Sequence, residues 1–368
     1  MKIKKKSPDW WVFFSVMALV FIGIIMVFSS SQYLAQYKHD DAFYFLKRQC
    51  INVLFGSIAM FFAYRFNYRL HKPFAWYYYA GTVLLLLLVL FSSGGDEAGG
   101  AVRWLDLGFI RFQPSELAKI TMVILLSAFL SDKQKKIKTF KDGFIEPLLL
   151  ILFTAGLVFA QKDLGTTVLI VGVGLVMMFC AGVRMPYLLG FASVGLVGGV
   201  GLIAMAPYRM KRIIAYLDPW SDPLDGGMQA CQSLMAIGNG GLTGVGLGAG
   251  GSKWGYLPAG HTDFIYSVLA EELGFIGAVL VIILFVILVW RGLTIAVNMP
   301  ETFGALLALG VTGMIGLQAF VNLGVVTGLL PITGITLPFI SYGGTSMIIS
   351  MASAGLLLNL SRYSEIKR

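Results

Sequence analysis

The chain has 368 residues, of which 57% are hydrophobic and only 13% charged, and it carries a net charge of +9. Soluble domains run nearer ~45–50% apolar and ~25% charged, so the composition excludes a soluble globular protein and leaves a polytopic membrane protein. The basic excess does not indicate a nucleic-acid partner, because many Lys and Arg residues lie in short loops between apolar runs, where they set topology.

Taken in order, the start MKIKKKSPDWW precedes an apolar run too long for a signal-peptide core and without a small-residue cleavage site, which predicts an uncleaved first helix. Ten apolar segments are long enough to cross a bilayer: approximately 11–31, 49–65, 74–92, 114–131, 144–161, 166–183, 187–206, 265–290, 304–326 and 343–360. The fifth and sixth are joined around Gln161-Lys162-Asp163 and predict a tight hairpin. One alternate set of loops holds most of the basic residues, with the largest cluster at Lys133, Lys135, Lys136, Lys138 and Lys141. That set should face the cytoplasm, which places both termini inside. The expected fold is an all-α polytopic membrane protein, residues 1–368 forming a single transmembrane domain. A large outer loop, 207–264, connects helices seven and eight. Cys50, Cys180 and Cys231 make no CxxC pair, so neither a disulfide framework nor a zinc site is indicated.

The polar residues gather toward the outer side. The loop 93–113 starts Gly-rich and then carries Arg103, Trp104, Asp106 and Arg111; the outer side also holds Arg209, Lys211, Arg212 and Lys253. Basic residues there either anchor in headgroups by snorkelling or form an anion site for phosphate. Pro114 suits the first turn of the fourth helix. Glu116 and Lys119, three residues apart, share a face and can pair, structurally or around a ligand. The stretch GNGGLTGVGLGAGG (238–251) lacks the ending of a phosphate loop and follows no strand. Its glycines predict tight turning or close approach to a lipid headgroup. Within the segment HTDF, Asp263 reads either as a cap for the next helix or as a functional carboxylate at its mouth. The helix N-terminus should lower its pKa and keep it ionised. Glu271 and Glu272, two turns further on, should pair or line a wet cavity. The Pro/Gly-broken stretch 330–346 predicts irregular backbone held in protein or lining a cavity. Ser341, Thr345 and Ser346 would line that cavity or serve as small-residue packing.

Five stretches in this order resemble the SEDS family (shape, elongation, division and sporulation) over essentially the whole chain. They are RWLDLGFIRFQPSELAK (103–119), DLGTT (163–167), YLDPWSDPLDGG with QSLMAIGNGGLTGVGLG (216–248), LPAGHTDFIYSVLAEELGFIG (257–277) and LPITGITLPFISYGGTS (330–346). The wording is nearer the FtsW/SpoVE branch than RodA. The resemblance implies a peptidoglycan glycosyltransferase of the bacterial cell membrane that polymerises lipid II with a class B penicillin-binding protein, among divisome or related cell-wall proteins. By the same resemblance Asp263 is the catalytic position, and Trp104, Glu116 and Lys119 match positions important for activity. The family usually has Glu where this chain has Ala259, and Pro where it has Lys162.

The chemistry of such a substrate agrees with the residues. A general base on the acceptor hydroxyl, Asp263, would drive inverting displacement of undecaprenyl pyrophosphate, with Asp163 or Asp218 as the next candidates. Arg103, Arg111, Lys119, Arg209 and Arg212 would stabilise the pyrophosphate, and His261, Ser341 and Ser346 complete the set of substrate-site candidates. The pyrophosphate suits a divalent cation, Mg or Mn, although no ligand cluster announces one. Two rival readings remain open at this stage, a lipid II flippase and a scaffold that recruits a partner. No internal repeat supports the flippase.

Overall fold

The computed structural model describes residues 6–91, 103–106, 111–204, 216–252 and 257–365, the side chains of 196–204 excepted. Its helices are α1 (Trp10–His39), α2 (Tyr44–Arg65), α3 (His71–Phe91), α4 (Pro114–Asp132), α5 (Glu146–Ala160), α6 (Leu164–Ala181), α7 (Met185–Ala204), α8 (Met228–Gly240), α9 (Ile265–Val297), α10 (Thr302–Val326) and α11 (Gly344–Ser361). Strands β1 (Leu105–Asp106) and β2 (Arg111–Phe112) form one antiparallel ribbon, with Leu105 opposite Phe112 and Asp106 opposite Arg111. Among the described residues, nine helices are long and apolar enough to cross a membrane. The segment expected at 187–206 forms α7 as far as Ala204.

Local chemistry sets the helix ends. Asp9 caps α1, accepting from the amides of Trp11 and Val12, and its other oxygen pairs with Arg291 of α9 at 2.5 Å. Pro114 opens α4 as expected. Asp163 caps α6 through the Thr166 amide, and Gly182, in the left-handed region, ends it. α4 is the central element, buried along most of its length against α3, α6, α10 and α11. α2 lies against α11 so closely that a Cβ on Gly355 would come within 2.2 Å of the Met60 carbonyl oxygen. Small residues permit that approach between apolar helices.

The 238–251 segment turns tightly, as its glycines predict, with Gly241, Gly244, Gly246 and Gly248 at positive φ. Gly240 and Gly244 also approach protein backbone: a Cβ would lie 2.0 Å from the Ala270 carbonyl oxygen and 2.1 Å from the Glu272 carbonyl oxygen. α9 breaks at Gly274 (φ 67°), and the segment after α8 fills the gap. The amides of Val245 and Gly246 donate to the carbonyls of Glu271 and Glu272 at 3.0 and 3.1 Å. The amides of Phe275 and Ile276 donate to the carbonyls of Gly241 and Leu242 at 2.9 and 3.2 Å. The groups freed by the break are thus satisfied inside the protein, as an apolar surrounding demands. Glu271 and Glu272, expected to pair or to line a wet cavity, accept hydrogen bonds from within the protein. Both are buried. Glu271 accepts from the amides of Gly251 (2.9 Å) and Ser252 (3.3 Å) and from the Ser252 hydroxyl, and Glu272 accepts from the Ser29 hydroxyl.

Candidate functional site

At the end of the bundle where α4, α6, α9 and α11 begin, four irregular segments meet: the β-ribbon, the α5–α6 hairpin, the 257–264 turn and the broken 330–343 stretch. Asp263 lies in the turn ahead of α9 and is half-buried. It does not cap the helix: Phe264 precedes the first turn, and no side chain caps it. The expected lowering of its pKa is overturned as well. Burial pushes the Asp263 carboxyl up to about 6; Arg103 pulls it down and Asp163 pushes it up, both less strongly. Desolvation is the largest cause, as expected of a carboxyl packed between several segments.

The other two segments bring Arg103 and Asp163 to this place. The Arg103 guanidinium donates to the carbonyls of Gln161 (3.4 Å) and Lys162 (2.5 Å) in the α5–α6 hairpin. Lys162 sits at φ 60°, a conformation closed to proline. Ala259, the other departure, is also left-handed, at φ 58°. Asp163 is buried and accepts from the Thr166 amide (3.1 Å), the Thr166 hydroxyl (2.9 Å), the Ser115 hydroxyl (3.2 Å) and Gln113 Nε2 (3.3 Å). A carboxylate with this many donors is committed to holding α4 against α6, which leaves Asp263 as the better candidate base.

The backbone around Asp263 is fixed from outside its own turn. Three successive carbonyls accept hydrogen bonds: His261 from the Tyr342 amide (3.0 Å), Thr262 from the Ser341 hydroxyl (2.7 Å) and Asp263 from Asn322 Nδ2 (2.7 Å). Asn322 Nδ2 donates also to the Ile335 carbonyl at 2.6 Å. One turn earlier on α10, Gln318 Nε2 donates to the Thr336 carbonyl at 2.9 Å. Gln318 Oε1 in turn accepts from Lys119 Nζ at 2.7 Å. Lys119 also pairs with Glu116 at 2.9 Å, both side chains being buried. The predicted i, i+3 pair thus exists, and it abuts the broken loop through Gln318. Neither Gln318 nor Asn322 was picked out from the sequence. The available signal was two amides at i, i+4 in an otherwise apolar helix.

The remaining predicted residues divide. Ser346 shares a hydrogen bond of 3.0 Å with the Thr336 hydroxyl. Thr345 accepts from the Gln113 amide and donates to the Arg111 carbonyl. Trp104 and Arg111 are exposed. The His261 ring packs on Phe45 and Tyr342, and burial, with Lys38 adding, pushes its pKa down to about 4, so it is neutral at physiological pH. Arg209, Lys211, Arg212 and Lys253 and most of the 93–113 loop lie outside the described residues. Among the described residues no group of three or more His, Cys, Asp or Glu side chains gathers to hold a metal.

The comparisons with known proteins agree over the whole length. The family model described as cell cycle protein, which takes in FtsW, RodA and SpoVE, matches residues 9–366. The chain is 47% identical over 366 residues to stage V sporulation protein E of Bacillus subtilis, covering 99% of this chain and 100% of that one. It is 45% identical over 353 residues to the probable peptidoglycan glycosyltransferase FtsW of Geobacter sp. (strain M18), covering 96% of each. Among solved structures it matches a chain from a peptidoglycan synthase complex that coordinates polymerization and crosslinking, with TM-score 0.81 and 32% identity over 96% of this chain and 98% of that one. It also matches the rod shape determining protein RodA of Thermus thermophilus, with TM-score 0.72 and 31% identity over 98% of each.

Proposed function

The chain belongs to the FtsW/RodA/SpoVE family of cell cycle proteins, and on that premise we propose that it is a peptidoglycan glycosyltransferase that polymerises lipid II into glycan strands for cell division or sporulation. The observation that carries the reading is Asp263, a half-buried carboxyl poised near pH 6 beside Arg103, on a backbone turn held at three successive carbonyls.

In the proposed reaction the ionised Asp263 takes the proton of the acceptor sugar 4-hydroxyl. That oxygen attacks the donor anomeric carbon from the face opposite the leaving group. The bond from the anomeric carbon to the pyrophosphate oxygen breaks, undecaprenyl pyrophosphate departs with the electron pair, and configuration inverts. Asp263 then returns its proton to water. General-base assistance contributes ~100–10,000-fold, and cations placed where charge develops contribute further. Arg103, Arg111, Arg209 and Arg212 are the proposed pyrophosphate partners, and Trp104, His261, Ser341 and Ser346 shape the approach. Glu116 and Lys119 serve the site from behind, their polar atoms being taken up by each other and by Gln318.

We further propose ten membrane-spanning helices in one domain, with α7 the tenth, both termini cytoplasmic, and Asp263 on the outer face of the cell membrane. The support is the lysine-rich 133–141 stretch at the opposite end of α4 from the site. A class B penicillin-binding protein and divisome proteins are the proposed partners, since a similar chain belongs to a synthase complex joining polymerization to crosslinking. The test is purified lipid II given to the purified chain in vesicles, with and without that partner. The proposal expects glycan polymer. Lipid II translocation without polymer would instead identify a flippase, and neither activity would identify a scaffold.

A further inference from the structure

Asn322 is 1% exposed in an apolar stretch of α10, where an amide is costly unless its groups are used. Both of its N–H groups are used, on the Asp263 carbonyl at 2.7 Å and the Ile335 carbonyl at 2.6 Å, while its buried Oδ1 has no hydrogen-bond partner among the described residues. The two acceptors also fix the orientation of the amide, since a flipped side chain would set its oxygen against both carbonyls. Ser341 makes the neighbouring connection. Its hydroxyl donates to the Thr262 carbonyl at 2.7 Å and accepts from the Leu337 amide at 2.8 Å. Two side chains from different elements therefore tie the 262–263 backbone to one loop, 335–341.

The region between needs such ties. Gly334 (φ 72°) and Phe339 (φ 66°) hold left-handed backbone in that loop, and Ala259 does so in the turn before Asp263. Left to themselves these conformations are unfavourable for non-glycine residues. Gly334 faces the carboxylate directly: a Cβ there would lie 3.7 Å from Asp263 Oδ2. A shift of the loop would thus move the wall of the site along with the base.

We propose that Asn322 and Ser341 are positioning residues for Asp263, fixing its carboxylate by holding its own carbonyl and the one before it. The proposal rests on Asp263 being the base. Neither residue exchanges a proton with substrate. Their effect is on the rate of the bound complex, because a misplacement of ~1 Å at a reacting group costs on the order of 100-fold.

The test uses the full-length chain with its partner, lipid II and steady-state kinetics, normalised to monodisperse protein. Ser341→Ala removes only one hydroxyl, and Ser341→Thr keeps it. Asn322→Asp keeps the shape and leaves at most one donor, the O–H of a protonated carboxyl. Expected is a kcat at least ~10-fold lower for Ser341→Ala and ~100-fold lower for Asn322→Asp, with KM within a few-fold, and recovery in Ser341→Thr. In an Asp263→Asn background, adding Ser341→Ala should cause no further loss. A purely structural role would lower the yield of folded protein and leave kcat per folded molecule unchanged. The proposal is overturned if folded Ser341→Ala keeps kcat within twofold of wild type, whether or not Asn322→Asp folds. If Asp263→Asn itself retains wild-type activity, the assignment of the base has failed, which is a separate result.

Discussion

The buried pair of α4 gives a prediction whose magnitude follows from its surroundings. Lys119 Nζ lies 2.9 and 3.0 Å from the two Glu116 oxygens and 2.7 Å from Gln318 Oε1, and the two side chains are only 3% and 8% exposed. Lys119→Met leaves the Glu116 carboxylate buried and stripped of its cation, a loss of ~3–5 kcal/mol. Glu116→Gln is milder. The ammonium keeps the Gln318 oxygen and has one neutral amide oxygen in place of the two carboxylate oxygens, so the loss is nearer ~1–3 kcal/mol, about one charge-assisted hydrogen bond. The double variant Glu116→Gln/Lys119→Met removes both charges and should recover most of what Lys119→Met loses. Thermal unfolding of the detergent-purified chain measures all three. Lipid II polymerisation of the same samples then separates roles: stability should return in the double variant, while activity returns only as far as the Gln318 loop contact is retained. Equal destabilisation by the two single variants, or a double variant worse than both, would refute the reasoning.

Three further outcomes are expected. Because burial raises the Asp263 carboxyl to about 6 and a base must be ionised, kcat should fall about tenfold per pH unit below pH 6 and level off above it. His261, held down near 4, adds no second step between pH 5 and 8, and a flat profile there would contradict the assignment. Gly274→Ala puts a Cβ 2.2 Å from the Gly244 nitrogen at a left-handed φ of 67°, so more than ~3 kcal/mol of stability should go; an unfolding midpoint within about 2 °C of wild type would oppose this. In a background with the cysteines replaced, Lys253→Cys should label from outside the cell and Lys136→Cys should not, and the reverse pattern would invert the topology.

What the sequence made legible was the short-range part. The apolar runs mark the helices, Pro114 opens α4, and the Glu116–Lys119 spacing forecasts a pair that forms. Asp263 stood out through its place ahead of an apolar run, and the structure does bring it beside Arg103 and Asp163. The misses are non-local. Nothing in GNGGLTGVGLGAGG says that it will complete the backbone of a helix some thirty residues on, since that pairing depends on the break at Gly274. The partners of Glu271 and Glu272 come from the 251–252 loop and from α1, which no helical periodicity connects. Asp263 was misjudged electrically because the desolvation that raises its pKa comes from packing against distant segments, which the sequence does not show. Gln318 and Asn322 were overlooked because their acceptors are backbone carbonyls, which carry no sequence signature.

The central claim is that Asp263 is the base, and one substitution tests it most directly. Asp263→Asn preserves size and removes the ability to accept the proton. The site predicts a chain that expresses, folds and binds its partner normally yet makes almost no glycan from purified lipid II. Polymerisation by Asp263→Asn within a few-fold of wild type would contradict the account.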